Sequence, residues 1–77
     1  MWVTLVINGL DKGEIIVHLK HYELASKYGL NGGKVSRLEM RRDGEIIALY
    51  DRGWIEEPEK DDQDAQAALY LALNGFN

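Results

Sequence analysis

The chain has 77 residues, a net charge of −4 and no cysteine. This length allows one domain, 1–77, which would bury only about 60% of the surface that its unfolded chain exposes. Without cysteine there are no disulfides or thiolate metal ligands, and no apolar run reaches the roughly 20 residues of a membrane span. The apolar start lacks a basic leader, so we expect a cytoplasmic protein.

Two apolar segments predict a first β-hairpin near the N-terminus. Residues Trp2 to Asn8 are rich in β-branched and aromatic types, and a second strand runs from Glu14 to Leu19 or beyond, after turn chemistry in 9–13. Side chains alternate along strands with a period of two, so pairing Asn8 with Glu14 places six apolar side chains on one face. The predicted pairs on that face are Ile7–Ile15, Leu5–Val17 and Val3–Leu19.

A second hairpin is predicted around Asp43-Gly44, a dipeptide that favours a two-residue type I′ turn. Such a turn pairs Arg42 with Glu45 and continues the pairing along both faces. The pairs predicted for the core face are Met40–Ile47 and Leu38–Leu49, and those for the opposite face are Arg41–Ile46, Glu39–Ala48 and Arg37–Tyr50. The last pair would make a cation–π contact worth about 0.5–1 kcal/mol.

Between the hairpins, residues 22–28 are expected to form a helical turn that ends at Gly29, and Asn31-Gly32-Gly33 a loop. After the hairpins, an acidic stretch leads into an alanine- and leucine-rich segment. Its spacing predicts a helix from about Pro58 to Asn74, with Asp61, Asp62 or Asp64 at the cap or first turn. Gly75 is the expected left-handed cap.

These elements predict an α+β domain, an antiparallel sheet of about four strands with one C-terminal helix packed on one face. The expected core is Val3, Leu5, Ile7, Ile15, Val17, Leu19, Leu38, Met40, Ile47, Leu49 and Leu69. The opposite face would carry Trp2, Thr4, Val6, Ile16, His18, Arg37, Glu39, Arg41, Ile46, Ala48 and Tyr50. No second helix is predicted to cover this face, and it is more apolar than a solvated face should be. Apolar patches of several hundred Å² on small proteins usually mark interfaces.

Catalytic and metal-binding signals are weak. Gly29–Lys34 lacks the glycine and the Ser or Thr of a phosphate-binding loop and precedes a strand, so a structural turn is favoured over an anion-binding one. His18 and His21 would point to opposite faces of a strand, and a third metal ligand is missing. No nucleophile stands beside a base, so we expect neither an enzyme, nor a cofactor, nor a metal, nor a small-molecule substrate.

Two segments carry a family resemblance, Tyr-Gly-Leu-Asn-Gly-Gly at 28–33 and Tyr-Asp-Arg-Gly-Trp at 50–54. Over nearly the whole chain the sequence resembles a family of short uncharacterised bacterial proteins, often from phage-like or mobile-element regions. This resemblance implies no activity, cofactor or catalytic residue. It implies that the two segments lie together, with the glycine loop packed against Trp54 or Arg52.

The leading hypothesis is a small non-enzymatic accessory protein that binds a protein partner or itself through the uncovered face. The candidate interaction surface comprises Trp2, Val6, Ile16, Tyr28, Asn31, Gly32, Arg37, Arg41, Ile46, Tyr50, Arg52 and Trp54. The alternative is nucleic-acid binding through Arg37, Arg41, Arg42 and aromatic side chains such as Tyr50, by phosphate neutralisation and stacking. The net negative charge argues against this alternative.

Overall fold

A computed structural model describes residues 1–8 and 11–77. Its elements are β1 (Trp2–Ile7), β2 (Ile15–His21), a short 3₁₀ turn (Leu30–Gly32), β3 (Val35–Arg42), β4 (Glu45–Asp51), β5 (Trp54–Glu56) and α1 (Gln63–Phe76). The strands form one antiparallel sheet in the order β1-β2-β3-β4-β5, and α1 packs against β2 and β3. The predicted α+β fold is confirmed, but the sheet has five strands instead of about four.

The first hairpin has the predicted register. Ile7 lies opposite Ile15, Leu5 opposite Val17, and Val3 opposite Leu19. Of the predicted turn at 9–13, residues 9 and 10 lie outside the described part of the chain. The turn is tied to the helix, because the Lys12 N–H donates to the Asp64 carboxylate at 2.7 Å.

The second hairpin follows the prediction only beside its turn. Arg42 pairs with Glu45 and Arg41 with Ile46, as predicted, but a β-bulge then shifts the register by one residue. Beyond the bulge, Met40 lies opposite Ala48, and the predicted pair Met40–Ile47 is wrong. The other corrected pairs are Glu39–Leu49, Leu38–Tyr50 and Arg37–Asp51. The side chains of residues 48–50 therefore lie on the sheet face opposite to the predicted one.

The core lies between the sheet and the helix. Its buried side chains are Ile15, Val17, Leu19, Leu30, Val35, Leu38, Met40, Ala48, Tyr50, Ala65, Ala68 and Ala72, and the partly buried ones are Val3, Leu5, Ile7, Ile47, Trp54, Leu69, Leu73 and Phe76. Because of the bulge, Ala48 and Tyr50 replace Leu49 on the core face. The three buried alanines of α1 allow the helix to approach the sheet closely.

The fifth strand closes one side of the core. Arg52 takes a left-handed conformation with φ of 58° and turns the chain back along β4. Trp54 then pairs with Tyr50, and the two rings meet edge to face with centroids 5.1 Å apart.

Helix α1 begins later and ends later than predicted. Asp62 is the N-cap and accepts from the Ala65 N–H at 3.1 Å, so the helix does not begin near Pro58. At the other end the helix continues through Gly75. The Phe76 ring lies 5.2 Å from the His21 ring, and the Asn77 side chain bonds to Val35 and Leu30, so tertiary contacts hold the last turn in place.

Candidate interaction surface

The sheet face opposite α1 is called the outer face here. Its residues form three rows across the strands, since residues paired between neighbouring strands point to the same side. The rows are Trp2–Lys20–Arg37–Asp51, Thr4–His18–Glu39–Leu49 and Val6–Ile16–Arg41–Ile46. Lys20, Leu49 and Asp51 were not assigned to this face from the sequence, while Ala48 and Tyr50 were assigned to it wrongly.

Large apolar side chains are exposed at both ends of the outer face. At one end Val6 is 54% exposed, Ile16 40% and Ile46 37%, in one row across β1, β2 and β4. At the other end Trp2 is 49% exposed. A hollow of about 260 Å³ lies between them, lined by Thr4, Ile16, His18, Glu39 and Arg41. The outer face therefore presents exposed apolar side chains and a concave site to a binding partner.

The arginines of the outer face are paired with carboxylates. Arg37 donates to Asp51 at 2.8 Å, and Arg41 lies 2.6 Å from Glu39. The expected stacking of Arg37 on Tyr50 is wrong, because Tyr50 points into the core. Exposed ion pairs of this kind add less than about 1 kcal/mol each to stability. Their main effect here is to make the centre of the face nearly neutral.

Trp2 is held by its neighbours. Its ring lies 4.7 Å from the His18 ring, and the Lys20 ammonium lies 5.7 Å from the Trp2 ring and 5.3 Å from the Tyr22 ring. Lys20 lowers the pKa of the Tyr22 hydroxyl, first by hydrogen bonding and then by its positive charge. These contacts restrict the indole while leaving about half of it accessible to solvent, which suits an anchor for a partner.

The connection between the hairpins lies beside this face and forms a cleft of about 500 Å³. Tyr28, Gly29, Gly33, Ser36 and Arg52 are among its lining residues. The predicted helical turn over 22–28 is wrong, since the helical turn lies later, at Leu30–Gly32.

Asn31 and Gly32 both have positive φ in that turn. Exposed Tyr28 and Arg52 are among the residues that line the cleft.

The two segments singled out by the resemblance lie together. The Tyr50 hydroxyl donates to the Tyr28 carbonyl at 2.9 Å, and the Arg52 N–H donates to the Ser36 carbonyl at 3.1 Å. Leu30 and Trp54 line one common hollow. Tyr50 is only 7% exposed and Trp54 is half-buried. Both side chains therefore pack in the core and against the loop, and neither is part of the outer face.

Arg42 lies on the helix side of the sheet. Its guanidinium makes two hydrogen bonds to Asp62, at 3.0 and 3.1 Å, and both side chains are about 85% buried. This bond raises the pKa of Arg42 and lowers that of Asp62 to about 2. Two of the four residues named for nucleic-acid binding, Arg42 and Tyr50, are therefore buried, and the other two form ion pairs.

In residues 1–8 and 11–77, no three His, Asp or Glu side chains cluster as metal ligands would. None of the helical segments in those ranges has the length and apolar character needed to cross a bilayer.

Fold and surface together define a small two-layer α+β domain with one sheet face left uncovered. The chain belongs to the family described as Domain of unknown function (DUF7678), whose model matches residues 1–77. No curated protein matches the chain significantly. No solved structure matches it significantly either.

Proposed function

We propose that this domain is a non-enzymatic accessory protein that binds a protein partner on its outer face. The observation that carries this proposal is the row Val6–Ile16–Arg41–Ile46, in which three large apolar side chains are exposed on a face that α1 does not cover. Trp2 supplies an aromatic anchor at the far end. Cytoplasmic action and an origin in phage-like regions, both expected from the sequence, belong to the same proposal.

The chemistry of the face favours a protein over a nucleic acid. Protein interfaces combine an apolar centre and aromatic anchors with polar groups that are already satisfied. A nucleic-acid site needs cations free to neutralise phosphates. Arg37 and Arg41 are paired with carboxylates, and the chain as a whole carries −4.

Replacing Ile46 with Asp is expected to weaken partner binding without unfolding the domain. Ile46 is 37% exposed, so the change removes some buried area and lowers stability without emptying the core, while it places a charge in the apolar row. Tyr70→Asp is the matched control, since Tyr70 is 69% exposed on α1, in the other layer. The readout is affinity capture from the native cell extract with quantitative mass spectrometry, where a partner held by the wild type should fall about tenfold for a loss of ~1.4 kcal/mol.

Three results would contradict the proposal. One is equal capture by the wild type and Ile46→Asp, with the loss seen only in Tyr70→Asp. Another is unfolding of both Ile46→Asp and Ile16→Asp in thermal melts, which would mean that the faces are assigned in reverse. The third is salt-dependent binding of a single-stranded oligonucleotide at low ionic strength, which would favour the nucleic-acid alternative.

A further inference from the structure

Strand β1 is an edge of the sheet, and its backbone bonding directions follow from its first residue. Met1 and His21 exchange two hydrogen bonds, of 3.0 and 2.9 Å. In an antiparallel pair, hydrogen-bonded and non-hydrogen-bonded positions alternate. Val3, Leu5 and Ile7 therefore point their N–H and C=O groups towards β2, and the groups at positions 2, 4 and 6 point away from the sheet.

This edge has none of the features by which proteins usually prevent strand pairing. Edge strands are commonly protected by charge, proline, a bulge or short length. Trp2–Ile7 has six residues, no charged residue, no proline and no register shift against β2. The opposite edge differs: Trp54–Glu56 has three residues, and Glu56 and Glu57 are exposed there.

The edge is also complementary to itself. Two copies of β1 can pair antiparallel about a two-fold axis at Thr4, with Trp2 of each copy opposite Val6 of the other. At these positions the outward N–H and C=O groups meet their partners directly. On the core side, half-buried Val3 of each copy lies opposite half-buried Leu5 of the other, so each covers the open flank of its neighbour's core. No like charges are opposed, because the strand carries none.

We infer that β1 pairs with β1 of a second copy of this chain, joining the two five-stranded sheets into one of ten strands. This goes beyond the proposed function, because the surface is the sheet edge and the occupant is the protein itself. The two outer faces would then form one continuous surface with a two-fold axis, and the helices of both copies would lie on the same side of it.

The first test combines sedimentation with amide hydrogen exchange of the full chain followed by NMR. We expect a concentration-dependent dimer, in which the amides of Trp2, Thr4 and Val6 gain protection as the dimer forms. In the monomer, no strand among residues 1–8 and 11–77 lies beside β1 on the side to which these three amides point. A protein that stays monomeric at millimolar concentration, with these amides exchanging freely throughout, overturns the inference.

Substitutions at Thr4 test the register. Thr4→Pro removes an outward N–H that β2 does not use, and should raise the dimer Kd by about tenfold or more. Thr4→Lys and Thr4→Glu each place like charges opposite one another at the axis and should be monomeric, whereas a mixture of the two should form a heterodimer. Thr4→Val is the control and should dimerise normally. If Thr4→Pro fails to fold, the test of the register rests on Thr4→Lys and Thr4→Glu.

A substitution on β4 distinguishes dimerisation through the β1 edge from association through the outer face. Ile46→Asp should leave the dimer intact, since β4 lies far from the edge in the strand order. Dissociation by Ile46→Asp, with Thr4→Pro still dimeric, would show that copies associate through their faces and would overturn this inference. A protein that never dimerises overturns the inference whatever the Thr4 variants do to a captured partner, because Thr4 also lines the outer-face hollow.

Discussion

Replacing Gly29 with Ala is expected to destabilise the protein more than any other single-methyl change in the connection between the hairpins. Gly29 is buried, and a Cβ at this position would overlap the backbone carbonyl of Gly33 and press on that of Ser26. The Gly33 carbonyl is already engaged, because it accepts from the Ser26 N–H at 3.1 Å. The added methyl therefore has to displace backbone that holds the loop closed.

The expected cost of Gly29→Ala is about 2–4 kcal/mol, at or above the usual range for overpacking, because backbone cannot move aside as a side chain can. In a domain of this size each kcal/mol lowers Tm by about 4–8 °C, so we expect a loss of at least ~10 °C in a thermal melt.

Gly53→Ala is the matched control for Gly29→Ala. A Cβ at Gly53 would meet nothing within 4 Å, and its φ is not in the left-handed region. Its melting temperature should match the wild type. If the melting temperature of Gly29→Ala equals that of Gly53→Ala, the packing described for the loop is wrong.

Replacing Asp62 with Asn is expected to cost about 2 kcal/mol of unfolding free energy, the equivalent of the depression of its pKa from 3.8 to about 2. Asp62 is the N-cap of α1 and holds both terminal nitrogens of Arg42, while the Arg42 Nε is buried with no partner among the described residues. Asn still caps a helix, so this change isolates the ion pair, and Asp62→Ala should cost about 1 kcal/mol more.

The ion pair also predicts a pH dependence. Because the pKa of Asp62 is lower in the folded protein, its contribution is fully present above pH about 4 and is lost as pH falls towards 2. Urea unfolding at a series of pH values should show this decline in the wild type and a flatter profile in Asp62→Asn. Asp61→Asn, an exposed neighbour, is the control and should follow the wild type. An unchanged profile in Asp62→Asn would contradict the role given to this pair.

The sequence predicts those parts of the fold in which alternation is unambiguous. In β1 and β2 the core-facing positions are all apolar, and Thr4, His18 and Lys20 mark the other face, so the register and the two faces follow from the pattern. In β4 the residues from Ile46 to Tyr50 are all apolar, which leaves either face compatible with the core. The bulge places Tyr50 in the core, where its hydroxyl donates to the Tyr28 carbonyl, a contact between distant segments with no local signal.

Asp61, Asp62 and Asp64 are equivalent as caps by local preference, and only the position of Arg42 on β3 selects Asp62. Trp2, Val6, Ile16, Arg37 and Arg41 lie on the outer face as predicted, because β1, β2 and most of β3 keep the simple period.

Ile46 also lies on the outer face as predicted, because it precedes the bulge. The assignments that failed, Ala48, Leu49 and Tyr50, all follow the bulge.

The most direct test of the outer face as a binding surface is site-specific photo-crosslinking in the native cell. A photoreactive phenylalanine analogue would be placed at Val6, at Ile46 or at Tyr70 of the full chain, and the adducts identified by mass spectrometry. We expect both outer-face positions to give the same adduct with a different protein, beside the adduct with a second copy that β1 pairing gives at Val6, and no adduct from Tyr70 on α1. Adducts from Tyr70 with none from Val6 or Ile46 would contradict the account.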